Sequence, residues 1–306
     1  MELRIEGLSK TYANGVCAVD DVTLTIPQGM FGLLGPNGAG KSTLMRILAT
    51  LQEPDAGTAT LGEINILTEK DRVRETLGYL PQEFGLYPKV RAQDLLDHFA
   101  ILKGITNRKE RKRVVDALLE QTNLTEARKR KLGGFSGGMR QRFGIAVALL
   151  GQPKLIIVDE PTAGLDPEER VRFLNLLSEL GEDSVVILST HIVEDVSELC
   201  SRMAVISRGQ ILLEGDPARA IANLRGRIWQ KSIAKDEIDG YSDRLTVIST
   251  RLQAGRRMIH VLADNQPDPS FQPVEPDLED VYFTTMLSAG RSAEPDQAEV
   301  GAGASS

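Results

Sequence analysis

The run Gly35-Pro36-Asn37-Gly38-Ala39-Gly40-Lys41-Ser42 has the spacing G-x-x-x-x-G-K-[ST], which suits one task, the gripping of a polyphosphate. Glycines at this spacing let successive backbone N–H groups turn inward around an anion, at the positive end of a helix beginning near Lys41. The Lys41 ammonium then reaches the outer phosphates, and the Ser42 hydroxyl can ligate Mg²⁺. A second run, Leu155-Ile156-Ile157-Val158-Asp159-Glu160, is apolar until it ends in two carboxylates. A buried strand delivers such a pair to its carboxyl end, where parallel sheets place their ligands. Asp159 can hold the metal, directly or through water, and Glu160 can polarise an attacking water as general base. Either run alone has a plain alternative: a glycine-rich turn before a helix, or an acidic start to a loop. Together they point to metal-assisted phosphate chemistry.

Those groups need a scaffold to bring them together. Short apolar runs alternate with helical patterns over the first 220 residues, the order of an α/β domain with a largely parallel sheet. Residues 3–8 and 22–26 read as strands, with a turn at Pro27-Gln28-Gly29. Residues 30–34 read as the strand that feeds the glycine-rich loop. Leu44, Ile47, Leu48 and Leu51 fall at helical spacing and predict a helix over 41–51. Buried-strand patterns recur at 155–158, 184–189 and 203–207. Residues 90–150 show only helical patterning, which predicts a helical insert splitting the domain.

Composition changes after Asn223. Residues 245–250 and 257–262 read as strands of a small second unit. Residues 264–276 read as a linker carrying Pro267, Pro269, Pro273 and Pro276. A final helix is predicted over 278–287, with Asp277 at its N-cap. Within 289–306, Val300 is the only bulky aliphatic residue, so a disordered tail is expected. The expected division is 1–223, 224–288 and 289–306.

The run Phe135-Ser136-Gly137-Gly138-Met139-Arg140-Gln141-Arg142 resembles the signature motif, usually begun L-S-G-G-Q, of the ATP-binding subunits of ABC transporters. Its physical logic stands apart from the name. Ser136 and the Gly137 and Gly138 amides lie just before a helix running from 139 to about 150, a second ready anion site. Phe135 and Met139 depart from the commonest Leu and Gln, but the backbone donors are intact. This variant resembles the export-type branch, whose ATPase is encoded apart from its membrane partner.

Further motifs resemble the family in order. Tyr12 resembles the aromatic that stacks on adenine, although a lone Tyr after a strand is more often a packing residue. Gln82, in Tyr79-Leu80-Pro81-Gln82, resembles the loop glutamine that contacts Mg²⁺ and senses the membrane part. Gly164-Leu165-Asp166 resembles the loop that crosses to a partner subunit, although Asp166-Pro167 also fits a helix cap. His191 resembles the histidine that contacts the γ-phosphate. With Gly35 to Thr43, these residues make up the implied ATP-binding set. His98 and His260 belong to no such constellation and read as structural or surface. The resemblance covers residues 3–223. Leu278-Glu279-Asp280-Val281-Tyr282-Phe283 resembles the C-terminal extension of ATPase subunits of ABC-2-type exporters.

The resemblance implies an α/β P-loop NTPase core of the ABC ATPase type, with an N-terminal antiparallel β layer, a helical insert and a small C-terminal α+β extension. It implies a head-to-tail homodimer or heterodimer that sandwiches two ATP molecules, each between one subunit's Lys41 loop and the other's Ser136 motif. Glu160 is then the general base and His191 the γ-phosphate contact. Ser42, Gln82 and Asp159 are the Mg²⁺ set, and Asp166 joins the site from the partner.

Composition bounds the reading. The chain has 306 residues, 41% of them hydrophobic and 26% charged, ordinary values for a globular protein. A net charge of −7 argues against a generic nucleic-acid binder. Cys17 and Cys200 form no CxxC, so neither a disulfide framework nor a zinc site is suggested. The longest apolar runs, such as 155–158 and 185–188, are far too short to cross about 30 Å of hydrocarbon. Met1-Glu2-Leu3-Arg4 opens no signal peptide. The expected place is the cytoplasmic face of the membrane, on a separate membrane-spanning permease subunit that the ATPase powers as an exporter.

The basic runs at 108–113 and 128–131 read as a solvated helix face. Contact with anionic headgroups comes second and RNA third. The competing function is a non-transport ABC ATPase acting on ribosomes or DNA. Against it stand the single Lys41 loop, the single signature and the lack of long coiled coils. A third reading is an export-type subunit whose main role is sensing or drug protection.

Overall fold

The glycine-rich loop sits on a six-stranded sheet, in the order Gln210–Gly215, Arg202–Ser207, Gly29–Leu34, Val185–Thr190, Leu155–Asp159 and Leu77–Leu80. The computed structural model describes residues 1–82, 84–162 and 165–292. Gly29–Leu34 runs parallel to both of its neighbours, and Leu155–Asp159 does the same. Every residue of Leu155–Asp159 and Val185–Thr190 is buried, which is why these strands read as unbroken apolar runs rather than as alternation. Register then fixes the site. Leu34 pairs with Thr190 and Asp159 with Ser189, so Gly35, Glu160 and His191 all emerge at one carboxyl edge of the sheet.

An antiparallel layer orders Cys17–Ile26, Leu3–Thr11, Ala56–Leu61 and Ile64–Asn65. Its inward residues Leu3, Ile5, Leu24 and Ile26 share one core with Phe31 and Leu33 of the parallel sheet and with Leu44, Ile47 and Leu48. The last three belong to the helix Lys41–Leu48. That helix stops short of the predicted Leu51, because Thr50 takes a left-handed backbone, φ 61°, and Leu51 is exposed.

The insert holds the helices Ala92–Leu102, Arg108–Gln121 and Gly137–Ala148. Asn107 caps the second, accepting from the Lys109 and Glu110 amides at 2.9 and 3.1 Å. The basic runs are not uniformly solvated. Arg111 pairs with Asp97 at 2.7 Å and donates to the Ile105 and Thr106 carbonyls. Arg128 pairs with Asp116, and Arg130 donates to the Gly134 carbonyl at 2.8 Å. Arg108, Lys109, Lys112 and Arg113 are exposed.

The chain divides into compact units at Met1–Glu214 and Gly215–Ser306, ahead of Asn223. The second unit has an antiparallel sheet ordered Thr246–Gln253, Arg256–Leu262, Ile228–Ile233 and Gln272–Pro273. The proline-rich segment is therefore more than a linker. Gln272 and Pro273 pair with Gln230 and Trp229, and Phe271 is buried beside Ile233, Ile259 and Val261. Asp277 does cap the last helix, accepting from the Asp280 amide at 2.8 Å. That helix is Leu278–Ser292, so 289–292 are helical rather than tail, and 293–306 lie outside the described residues. His260 is a buried structural residue, 2.8 Å from the Asp280 carboxylate.

Candidate functional site

Residues 36–40 wrap a cavity of about 440 Å³, lined also by Tyr12, Val16, Ala18, Lys41, Ser42, Thr43, Gln82 and Glu160. Two glycines of the loop have steric reasons. A Cβ on Gly40 would lie 2.0 Å from the Ala18 carbonyl oxygen, and Gly40 itself has φ 107°. A Cβ on Gly35 would lie 2.4 Å from the Ile206 carbonyl oxygen. Only a chain without side chains there can press the loop this close while leaving its amides at the helix start.

Lys41 is buried, and its Nζ donates to the Gly35 and Pro36 carbonyls at 2.5 and 3.3 Å. The same ammonium lies 3.4 Å from Glu160 Oε1. Glu160 is 6% exposed and has a left-handed backbone, φ 50°, pinned by its amide's hydrogen bond to the Ser189 carbonyl at 2.8 Å. Such a conformation is costly for a residue with a side chain, and it is held by its surroundings. His191 Nδ1 meets the other oxygen, Glu160 Oε2, at 2.5 Å. Lys41, Glu160 and His191 are thus one cluster.

Asp159 is buried, and Oδ1 accepts from Ser189 Oγ at 2.8 Å. Burial first, and then the charge of Asp159, push the Tyr79 phenol above its ordinary value. Tyr12 donates to Gln52 at 3.2 Å and shares a 3.0 Å hydrogen bond with Thr43 Oγ1. The Thr43 hydrogen bond is the main cause holding the Tyr12 phenol below its ordinary value. This phenol is therefore tied to the loop's own helix while its ring borders the cavity.

Not every sequence-derived residue gathers here. Among the described residues, Gly35, Asp159, His191, Ser136, Gly137, Gly138 and Asp166 do not line this cavity, although His191 meets the lining residue Glu160. Ser136 caps the helix Gly137–Ala148, accepting from the Met139 amide at 3.2 Å. Asp166 caps Pro167–Leu180, accepting from the Glu169 amide at 2.8 Å. Gly164 lies outside the described residues. Sequence reasoning missed a buried group that begins two residues past Glu160. Thr162 Oγ1 donates to Asp195 Oδ2 at 2.5 Å, and Arg170 Nε donates to Asp195 Oδ1 at 2.7 Å. Nothing local marks Asp195, since an acid in the first turn of a helix is commonplace. Val16 and Ala18 were missed too, for lack of any polar signal.

The residues fit a nucleoside polyphosphate: a glycine-rich loop around the cavity, a buried ammonium and a flanking aromatic. For Mg²⁺ the cavity offers the Ser42 hydroxyl and the Gln82 amide, with the buried Asp159 carboxylate at the end of the adjoining strand, all oxygen donors suited to a hard cation. The described residues hold no cluster of three or more His, Cys, Asp or Glu, so such a cation would draw on phosphate and water as well.

Comparisons with known proteins agree on one family. A family model described as ABC transporter matches residues 19–163. The uncharacterized ABC transporter ATP-binding protein YxlF of Bacillus subtilis is 35% identical, covering 81% of each chain. The daunorubicin/doxorubicin resistance ATP-binding protein DrrA of Streptomyces peucetius is 32% identical, covering 86% of this chain and 84% of its own. A dimeric ATP-binding cassette solved in a post-hydrolysis state with ADP and Pi is 27% identical, with a TM-score of 0.65, over 70% of this chain and 98% of its own.

Proposed function

This chain belongs to the ATP-binding proteins of ABC transporters, and from that premise we propose how its residues divide the work. The protein is an ATPase of transport. Its P-loop core takes ATP in the cavity beneath residues 36–40, with Lys41 on the outer phosphates and Tyr12 beside the base. Glu160 draws a proton from the attacking water, and His191, 2.5 Å from its carboxylate, holds that carboxylate and meets the terminal phosphate. Ser42, Gln82 and Asp159 would hold Mg²⁺, which would supply charge neutralisation on the phosphates. Ser136, Gly137, Gly138 and Asp166 serve the partner's cavity in a head-to-tail dimer.

The observation that carries this reading is the convergence of Lys41 and Glu160, 3.4 Å apart, at the mouth of the glycine-rich loop. The named relatives include a drug-resistance ATP-binding protein, which favours an exporter. No helix among the described residues is long and apolar enough to cross a membrane. The reading includes a separate permease, with the ATPase peripheral on the membrane's cytoplasmic face. Equilibrium ATP binding to the full chain and to Lys41→Ala tests the site. The variant should lose productive binding, because among the described residues no other lining residue brings a positive charge. Micromolar binding by Lys41→Ala would place the nucleotide elsewhere.

A further inference from the structure

The first turn of Pro167–Leu180 sends one carboxylate into the first turn of Gly137–Ala148. Glu169 Oε1 accepts from Ser136 Oγ at 3.4 Å. Its carboxylate also occupies the space over Gly138: a Cβ there would lie 1.8 Å from Oε2 and 2.0 Å from Cδ. The second glycine of the Ser136 motif thus has a reason within its own chain. Arg142, one turn further along the same helix, is 9% exposed, and its Nη1 lies 3.5 Å from Glu169 Oε1. Its Nε and Nη1 are buried with no hydrogen bond among the described residues, and among those residues Glu169 is the carboxylate paired with this guanidinium. A buried cation with one nearby anion holds that anion firmly, since separating them strands a charge.

The platform behind Glu169 is fixed as well. Asp166 caps the Glu169 amide, Pro167 presets the first turn, and the next residue, Arg170, is tied to the fully buried Asp195. One side chain therefore carries the rigidity of a braced helix start to the Ser136 hydroxyl.

We infer that Glu169 is a positioning residue for ATP turnover: anchored by Arg142, it orients Ser136 and the Gly138 backbone for the partner's nucleotide. The inference rests on the reading that Ser136 acts in trans. Glu169 does not line its own chain's cavity, so it should govern turnover and leave binding alone.

The test uses the full chain as Glu169→Ala, Glu169→Gln, Ser136→Ala and Ser136→Ala with Glu169→Ala. ATP affinity and turnover per nucleotide-binding chain are measured for each. Affinity should stay within about twofold of wild type throughout, while Glu169→Ala loses about tenfold or more in turnover, as misplaced positioning groups do. Glu169→Gln should lose only about threefold, since its amide oxygen still accepts from Ser136 and fills the space over Gly138. The double variant should be no slower than the slower single, because both changes break one interaction. Additive losses, wild-type turnover in Glu169→Ala, or glutamine no better than alanine would each overturn the positioning role and leave the trans reading standing. Wild-type turnover in Ser136→Ala would remove the trans reading itself, and the inference with it. If Glu169→Ala does not fold, Glu169→Gln combined with Ser136→Ala reads the same non-additivity.

Discussion

Replacing Glu160 by glutamine should separate binding from chemistry. The carboxylate is 6% exposed, 3.4 Å from Lys41 Nζ and 2.5 Å from His191 Nδ1. An amide of nearly the same size fits that space and still offers an oxygen to His191. Lys41 keeps its hydrogen bonds to the Gly35 and Pro36 carbonyls. At this separation and an effective dielectric of about 20, the Lys41–Glu160 attraction is about 5 kcal/mol before desolvation is counted. Losing it frees the ammonium for phosphate, and it also removes a negative charge beside the terminal phosphate. Both changes favour bound nucleotide, so affinity should hold or rise.

Turnover should move the other way. A positioned general base is worth about 10²–10⁴-fold, or about 3–5 kcal/mol of barrier. With binding intact and hydrolysis stalled, the closed dimer should accumulate on adding Mg-ATP, whereas wild type should close only transiently. Phosphate release gives the first half of the claim, and size-exclusion chromatography with and without Mg-ATP gives the second. Wild-type phosphate release by Glu160→Gln would remove Glu160 from the mechanism. Loss of ATP binding would make it a structural residue instead.

Ser136→Arg should abolish hydrolysis and leave ATP binding by the isolated chain intact; mixing it with Lys41→Ala leaves one composite site free of both lesions, so activity should return. A Ser136→Arg protein that still turns over ATP would end the trans arrangement. Phe271→Ala should destabilise the C-terminal unit by about 3–5 kcal/mol, since the ring is buried and meets Tyr241 edge-on at 6.0 Å. Hydrogen exchange in Ile228–Ile233 and Arg256–Leu262 reads that loss, and unchanged protection would return 264–276 to the status of a linker. The same unit should be acid-sensitive through Asp277. Burial raises its carboxyl's affinity for protons, but the Arg251 guanidinium and the Asp280 amide outweigh burial and hold it below the ordinary 3.8. The resulting stability is full above that value and is lost as pH falls through the lower folded one. The melting-temperature gap between wild type and Arg251→Ala should therefore shrink from pH 6 to pH 3, and a constant gap would refute the linkage.

Legibility followed how locally each feature is determined. The phosphate loop could be read because its chemistry fixes residue types at consecutive positions, and Leu155–Asp159 because burial on both faces demands an unbroken apolar run. Ala56–Leu61 left no such trace. Its sequence AGTATL is small and half exposed, and it becomes a strand only because Leu3–Thr11 lies alongside. Leu77–Leu80 was read for its glutamine loop and not as a strand, since Gly78 weakens the pattern. That glycine is required from outside: a Cβ would lie 2.3 Å from the Ala148 carbonyl oxygen. In 264–276 the prolines outweighed the one residue, Phe271, that ties the segment to a core.

Within the site, the same contrast separates identity from arrangement. Residue types named Lys41, Asp159, Glu160 and His191, yet their convergence depends on register. Shifting Leu34 against Thr190 by one residue would move Gly35 and His191 out of step at the sheet edge. The left-handed backbone of Glu160 is equally invisible in sequence, because nothing in the pair Asp159-Glu160 requires it. It follows from where the chain must go. Asp159 ends the ladder opposite Ser189, and the next amide still bonds the Ser189 carbonyl, at 2.8 Å. With that bond kept, the left-handed turn at Glu160 lets its carboxylate lie between Lys41 and His191. A glycine would adopt this backbone more easily but would bring no base. The strain at residue 160 therefore accompanies a carboxylate that the proposed chemistry needs in that place.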